Sequence, residues 1–231
     1  MTEIWLIRHG QSESNAGARV GATEQIGLTA LGQQQAAFAA QAFTRAPSRV
    51  ITSAYRCAKA TALPLLDRYP GTPCEEWPIH ECAALSDEHR LNTTIADRTP
   101  LLAAYWQRRD PDYCDGPGAE SFVQRVVRAQ AALELLRGVG EPFVAVFGHA
   151  QFFRTMLWVH LAQPSTLDAC AMDDYCHFTG SFSFPNAAIM RVLLAPDRSL
   201  FFGAPSTAHL PARPLEPWGG ALAEQALRKD D

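Results

Sequence analysis

Phe143-Val144-Ala145-Val146-Phe147 is an uninterrupted apolar run of strand length, and it limits the folds open to this chain more than any other stretch. A strand with no polar alternation has no face to give to water, so it belongs in the middle of a sheet with helices on both sides. The run empties into Gly148-His149-Ala150-Gln151, after which a helix is expected through Val159. The N-terminus repeats the arrangement: Ile4-Trp5-Leu6-Ile7 empties into Arg8-His9-Gly10, followed by the polar stretch Gln11-Ser12-Glu13-Ser14-Asn15. The C-terminal end of a strand in an α/β sheet, beside a helix N-terminus with unsatisfied N–H groups, is a ready anion site. Here each such end also brings an imidazole, and one brings a guanidinium.

The elements between these two runs alternate. Thr29 reads as an N-cap for an alanine-rich helix through Phe43. Arg49-Val50-Ile51-Thr52 reads as a strand, and Ala54 to Leu66 as a helix stopped by Arg68-Tyr69-Pro70-Gly71. Pro73 and Pro78 restrict residues 72–79 to a brief or edge strand. From Glu81 to Gly118 the alternation breaks, leaving a helix around Leu101 to Arg109 and a turn-rich segment at residues 110–118, too little core material for a domain. Ala119 to Leu136 is helical, with Phe122, Val126, Ala129, Leu133 and Leu136 three or four apart. Asp173 to Phe184 reads as irregular, and Ala187 to Leu194 as a strand that turns at residues 196–199 into Leu200-Phe201-Phe202. The expected fold is a three-layer α/β/α sandwich: a mostly parallel open sheet with an antiparallel edge strand and an inserted cap at about residues 83–118. Residues 1–210 are expected to form one domain, and residues 211–231 a Pro/Ala/Gly-rich tail with one helical turn near Leu222 to Leu227.

Composition narrows the function classes. Of 231 residues 47% are hydrophobic, enough for a good core, and 20 basic and 24 acidic residues mix along the chain to a net charge of -4. That balance gives no reason to expect a nucleic-acid or acidic-lipid surface, so attraction for an anionic ligand must be local. No apolar stretch approaches the roughly 20 residues that span a bilayer, and no signal-type leader is present, so a cytoplasmic protein is expected. The six cysteines show no CxxC or zinc-like spacing and are expected as reduced thiols.

Arg8-His9-Gly10-Gln11-Ser12 with Asn15, directly after an N-terminal strand, resembles the signature of the histidine phosphatase superfamily, the group that includes the cofactor-dependent phosphoglycerate mutases. Leu28-Thr29-Ala30-Leu31-Gly32, Ser53 with Arg56, Glu81 and Gly148-His149 extend the resemblance, which spans residues 3–194. It implies a phosphate pocket of Arg8, His9, Asn15, Arg56 and His149, with His9 phosphorylated, His149 holding the transferring oxygens, and Glu81 as general acid. Glu75, Glu76, Asp87 and Glu88 are neighbouring alternatives for the acid. Thr23, Ala150 and Gln151 match positions that contact phosphate or substrate, Ala150 replacing a glycine common after the second histidine. The cap is where this family carries its specificity-setting segment.

The residue chemistry agrees with that reading. Arg8 and Arg56 can supply guanidinium forks, and a nucleophilic histidine must be neutral, with its other ring nitrogen held by an acceptor such as a backbone carbonyl near Gly10. Ser53 reads first as a helix-start cap, Glu120 and Ser121 as helix N-terminal residues, and His160, His177 and His209 as structural or surface residues. A metal site is disfavoured, since Arg8 would repel a divalent cation and no His-Glu-x-x-His or Asp-rich motif occurs. The expected activity is metal-independent hydrolysis of a small phosphomonoester, with no cofactor, by a monomer or homodimer. A mutase-type phosphotransferase and a noncatalytic phosphate-binding module are the alternatives.

Overall fold

The computed structural model describes residues 1–211, so the helical turn expected near Leu222 to Leu227 lies outside the described residues. The strands are β1 (Thr2–Arg8), β2 (Arg49–Ser53), β3 (Cys74–Trp77), β4 (Phe143–Gly148), β5 (Ile189–Leu194) and β6 (Leu200–Ser206). The helices are α1 (Ala30–Gln41), α2 (Arg56–Arg68), α3 (Asp87–Arg90), α4 (Ile95–Gln107), α5 (Phe122–Arg137), α6 (Ala150–Ala162) and α7 (Ala169–Ser181), with a short 3-10 turn at Thr23–Gln25.

One six-stranded sheet has the order β3-β2-β4-β1-β5-β6. β4, buried along its whole length, lies between β2 and β1 and is parallel to both. β3 is the short parallel edge that the two prolines allow. On the other side β5 runs antiparallel to β1, and β6 antiparallel to β5, so the antiparallel part is a two-strand hairpin.

Side-chain alternation along β1 and β4 sorts the core into two layers. Ile4, Leu6, Val144 and Val146 pack with residues of α5, α6 and α7, while Trp5, Ile7, Phe143, Ala145 and Phe147 pack with residues of α1 and α2. A one-residue slip of β1 would exchange the two sets, and burial worth about 1.5–3 kcal/mol per large apolar side chain opposes it. That register holds Arg8 beside Gly148, so the two histidines leave the same end of the sheet.

Local signals set most helix starts. The Thr29 hydroxyl accepts the Gly32 N–H at 3.0 Å, and Ser121 and Gln124 form a reciprocal capping box. Four expectations need correction. α5 begins at Phe122, not Ala119, because Ser121 is its N-cap and the Glu120 N–H goes to Ala83 O. α2 begins at Arg56, not Ala54, and Ser53 is not its cap: Ser53 Oγ accepts the Tyr55 N–H at 3.1 Å, and the extended Tyr55 is the N-cap residue. α4 begins at Ile95, where Thr94 and Asp97 form a capping box, and runs through Pro100 instead of starting after it. Residues 173–181, expected to be irregular, belong to α7: Asp168 caps it by accepting the Ala171 N–H, and Ala171, Met172, Tyr175 and Thr179 bury one face. Interleaved Asp, Cys and His residues hide that period in the sequence. α3 and α4 fall within the expected cap. That segment is tied to the loop after β1 by a Val20–Thr93 bridge and by bonds from Arg90 to Thr23 and from Arg98 to Ser14. No helix among the described residues is long and apolar enough to cross a membrane.

Candidate active site

His9 and His149 face each other with ring centroids 5.1 Å apart, and they are only 5% and 1% exposed. The His9 backbone is held from both neighbouring strands' sides: its N–H donates to Gly148 O at 3.0 Å, and its carbonyl accepts from Ala187 N and Asn186 Nδ2. Its Nδ1 lies 2.7 Å from Gly10 O. A carbonyl can only accept, so Nδ1 carries the proton and Nε2 the lone pair. Burial, then the nearby His149 and Arg8, push the His9 imidazole down to about 3, which keeps it neutral.

The loop that supplies this carbonyl lies backbone to backbone against the first turn of α1. A Cβ at Gly10 would fall 2.3 Å from Gly32 O, and one at Gly32 would fall 2.0 Å from Gln11 O. Both positions therefore exclude side chains.

His149 is the N-cap residue of α6, and its Nε2 shares a 2.8 Å hydrogen bond with Ser53 Oγ. Tyr55 meets the ring edge-on at 5.2 Å. Burial, then the charges of Arg8, His80 and Arg128, push this imidazole down to about 3 as well. Arg8 donates to Phe184 O at 2.8 Å and to Asn15 Oδ1 at 3.5 Å, while its buried Nε has no partner. Burial lowers its pKa to about 10, leaving it charged near neutral pH. A buried guanidinium with unused donors is suited to receive an anion.

Glu81 reaches the same place from the loop after β3. Its Oε1 accepts the N–H groups of Phe152 at 3.0 Å and Cys82 at 2.9 Å, and its Oε2 accepts that of Gln151 at 3.3 Å. Glu81 thus occupies the positive end of α6 beside His149. Glu120 and Arg128 clamp the segment that carries it: Arg128 donates to His80 O at 2.8 Å and pairs with Glu120, which accepts the Ala83 N–H at 3.1 Å. The other carboxylates go elsewhere. Glu75 pairs with Arg49, Glu76 with Lys59 and Asp87 with Arg90, while Glu88 is exposed.

The remaining expected residues are more dispersed. Asn15 Oδ1 accepts from Ser12 N, Arg8 and Asn186 Nδ2 at 3.0–3.5 Å, which places it in the Arg8 network. Arg56 opens α2 but is exposed, with a 3.5 Å contact to Gln25 O. Thr23 accepts a bond from Arg90 in the cap at 3.1 Å. Ala150 is buried at the start of α6, and the Gln151 N–H is directed to Glu81. A cavity of about 340 Å³ opens beside the loop of Glu13, Arg19 and Gln25, and one of about 450 Å³ lies between α6 and β6, with Leu157 and Phe202 in its wall and neither site histidine.

Sequence reasoning missed Asn186, which ties the His9 carbonyl to Asn15, and Arg154, a buried arginine on α6 whose charge acts on Arg8. An arginine inside the apolar stretch 152–159 was the available signal for the second. Cys57, which directly follows Arg56 in the sequence and so was expected near the site, does lie there, although its closeness to both histidines was not read. Among the described residues His9, Cys57 and His149 each bring a potential ligand atom within 4.8 Å of the other two. The cluster can therefore be considered for a metal as well as for a phosphoryl group, although Arg8 favours the anion.

Residues 4–183 match the histidine phosphatase superfamily (branch 1). No curated protein matches the chain. Similar solved structures include the Entamoeba histolytica phosphoserine phosphatase in complex with 3-phosphoglyceric acid, 19% identical, covering 91% of this chain and 100% of that one with a TM-score of 0.65. The mycobacterial glucosyl-3-phosphoglycerate phosphatase in complex with VO3 is 22% identical, covering 88% of this chain and 98% of that one with a TM-score of 0.64. Mycobacterial hydrolase 1 is 21% identical, covering 88% of this chain and 97% of that one with a TM-score of 0.66. At such identities the likeness speaks for the fold, and the pattern matched from the first strand to the end of α7 speaks for the family: this chain belongs to the histidine phosphatase superfamily, branch 1.

Proposed function

We propose that the chain is a metal-independent phosphomonoester hydrolase that carries the phosphoryl group on His9 Nε2. The observation that supports this reading is the 2.7 Å bond from His9 Nδ1 to Gly10 O, which leaves a neutral ring with its lone pair on the opposite nitrogen beside the buried Arg8. Nε2 attacks phosphorus, a P–N bond forms as the P–O bond to the leaving group breaks, and the Arg8 guanidinium offsets charge on the nonbridging oxygens. His149 bonds to those oxygens, and the incoming dianion favours its protonation.

Glu81 delivers the proton to the leaving oxygen. Its Oε2 is the oxygen with the longer backbone bond, 3.3 Å to Gln151 N, so that oxygen turns to the leaving group while Oε1 keeps its place on Phe152 and Cys82. The ionised Glu81 then takes a proton from the water that cleaves the P–N bond. The substrate is a small diffusing phosphomonoester, handled in the cytoplasm by a single domain of residues 1–210 with residues 83–118 as its cap.

Mass analysis of protein quenched in alkali after exposure to a phosphomonoester tests the reading, with phosphate expected on His9. Phosphate on serine or cysteine, or wild-type turnover in His9→Ala, overturns it. Interconversion of phosphoglycerates that outpaces hydrolysis and depends on bisphosphoglycerate would make the protein a mutase instead.

A further inference from the structure

Hydrolysis through His9 leaves Cys57 without a role, although it is the second residue of α2, 4% exposed, and in the same cluster as both histidines. Two imidazole nitrogens and one sulfur form a ligand set suited to Zn²⁺ with a fourth position open. Zinc bonds of about 2.0–2.1 Å to nitrogen and about 2.3 Å to sulfur place tetrahedral ligand atoms roughly 3.3–3.6 Å apart. A separation at the 4.8 Å bound would have to shorten by about 1.2–1.5 Å, which side-chain rotation can supply.

The supporting contacts have the form a metal site needs. A metal-bound imidazole is usually oriented by a hydrogen bond from its other ring nitrogen to an oxygen. His9 has that bond at Gly10 O, 2.7 Å away, and His149 has Ser53 Oγ at 2.8 Å, so each ring keeps one nitrogen for a ligand. Arg8 opposes a cation here, and burial, then the Glu81 carboxylate, push the Cys57 thiol up to about 12, so the metal itself must drive off the thiol proton; the thiolate so formed and Glu81 then supply negative charge against Arg8.

We propose that His9, Cys57 and His149 form a zinc site that shuts the phosphate pocket. Two Zn–N bonds and one Zn–S bond form, the thiol proton passes to bulk water, a water oxygen fills the fourth position, and no electron is transferred. The His9 lone pair is then engaged with the metal and unable to attack phosphorus. That inhibitory consequence rests on the phosphohistidine reading, whereas metal binding does not.

Titration of the full chain with Co²⁺, whose thiolate charge-transfer absorption reports sulfur ligation, tests binding directly, and Zn²⁺ should then displace the cobalt. One equivalent is expected to produce the band in the wild type. Cys57→Ser and Cys57→Ala should abolish it and weaken Zn²⁺ binding by more than about 100-fold, beyond the roughly 10–100-fold cost of losing a merely supporting contact. Turnover should fall with Zn²⁺ and return with a chelator, and each variant, compared with its own zinc-free rate, should lose that sensitivity. Absence of the band from the wild type, or a band and zinc affinity unchanged in either variant, overturns the site. If no protein turns over phosphomonoesters, the phosphatase reading fails while the cobalt band still decides the metal site.

Discussion

β1 and β4 are parallel neighbours that deliver a histidine each to one end of the sheet, and the chain leaves those histidines in different ways. After His9 it enters a loop pressed on α1, and a backbone carbonyl holds the ring. After His149 the helix α6 starts at once, Glu81 caps its N–H groups, and the ring is held by the hydroxyl of Ser53. A carbonyl accepts and never donates, so it enforces one tautomer; a hydroxyl does both, so its ring partner can change protonation state without losing its bond. The first arrangement suits a nucleophile, the second a group whose charge follows the substrate.

Substitution should separate the two junctions. His9→Ala is expected to abolish the phosphoenzyme and to lower turnover by about 10⁴-fold or more, as loss of a nucleophile does. His149→Ala should still label His9 but form the phosphoenzyme about 10²–10³-fold more slowly, the range for a lost oxyanion donor. Rapid-quench single-turnover measurements compare them, and equal losses of labelling would erase the distinction.

Glu81 sharpens the picture at the second junction, because it is both helix cap and proposed acid. Glu81→Gln keeps a carbonyl oxygen for one α6 N–H and removes the proton. It should slow phosphorylation by an alkyl phosphate about 10²–10⁴-fold, and cost far less with an activated aryl phosphate. An equal small loss on both substrates would leave Glu81 as a cap alone.

The last effect concerns stability and treats the junctions alike. Both imidazoles titrate at about 3 in the folded protein against 6.5 for an ordinary histidine, so between these values the unfolded chain takes up protons that the native state refuses. Their contribution is fully present above pH 6.5 and is lost as pH falls toward 3. Denaturant midpoints should drop over that range, less steeply when either histidine is replaced by asparagine. Equal slopes in wild type and variants would mean that neither ring is held neutral by burial.

Much of the fold was readable because its signals are local. The unbroken run 143–147 required a covered central strand, Thr29 and Ser121 lie three residues from the N–H groups they cap, and Pro73 and Pro78 shortened β3 to an edge. α7 was not readable, since its buried positions are interleaved with Asp and Cys and its face exists only against Trp106, Phe122 and Trp158. In the site, Arg8, His9 and His149 stand out because each sits at the end of an apolar run. Of their partners, Glu81 was named only through the family resemblance, Ser53 only as a helix-start cap, and Asn186 not at all. Ser53 lies 96 residues from His149, Glu81 lies 71 residues from Phe152, and Asn186 is 177 residues from His9. Periodicity and capping act over a few residues and are written in neighbouring letters of the chain. Which distant carboxylate, hydroxyl or thiol meets a histidine depends on strand order and register, and these arise only when β1 and β4, from opposite parts of the chain, are buried side by side.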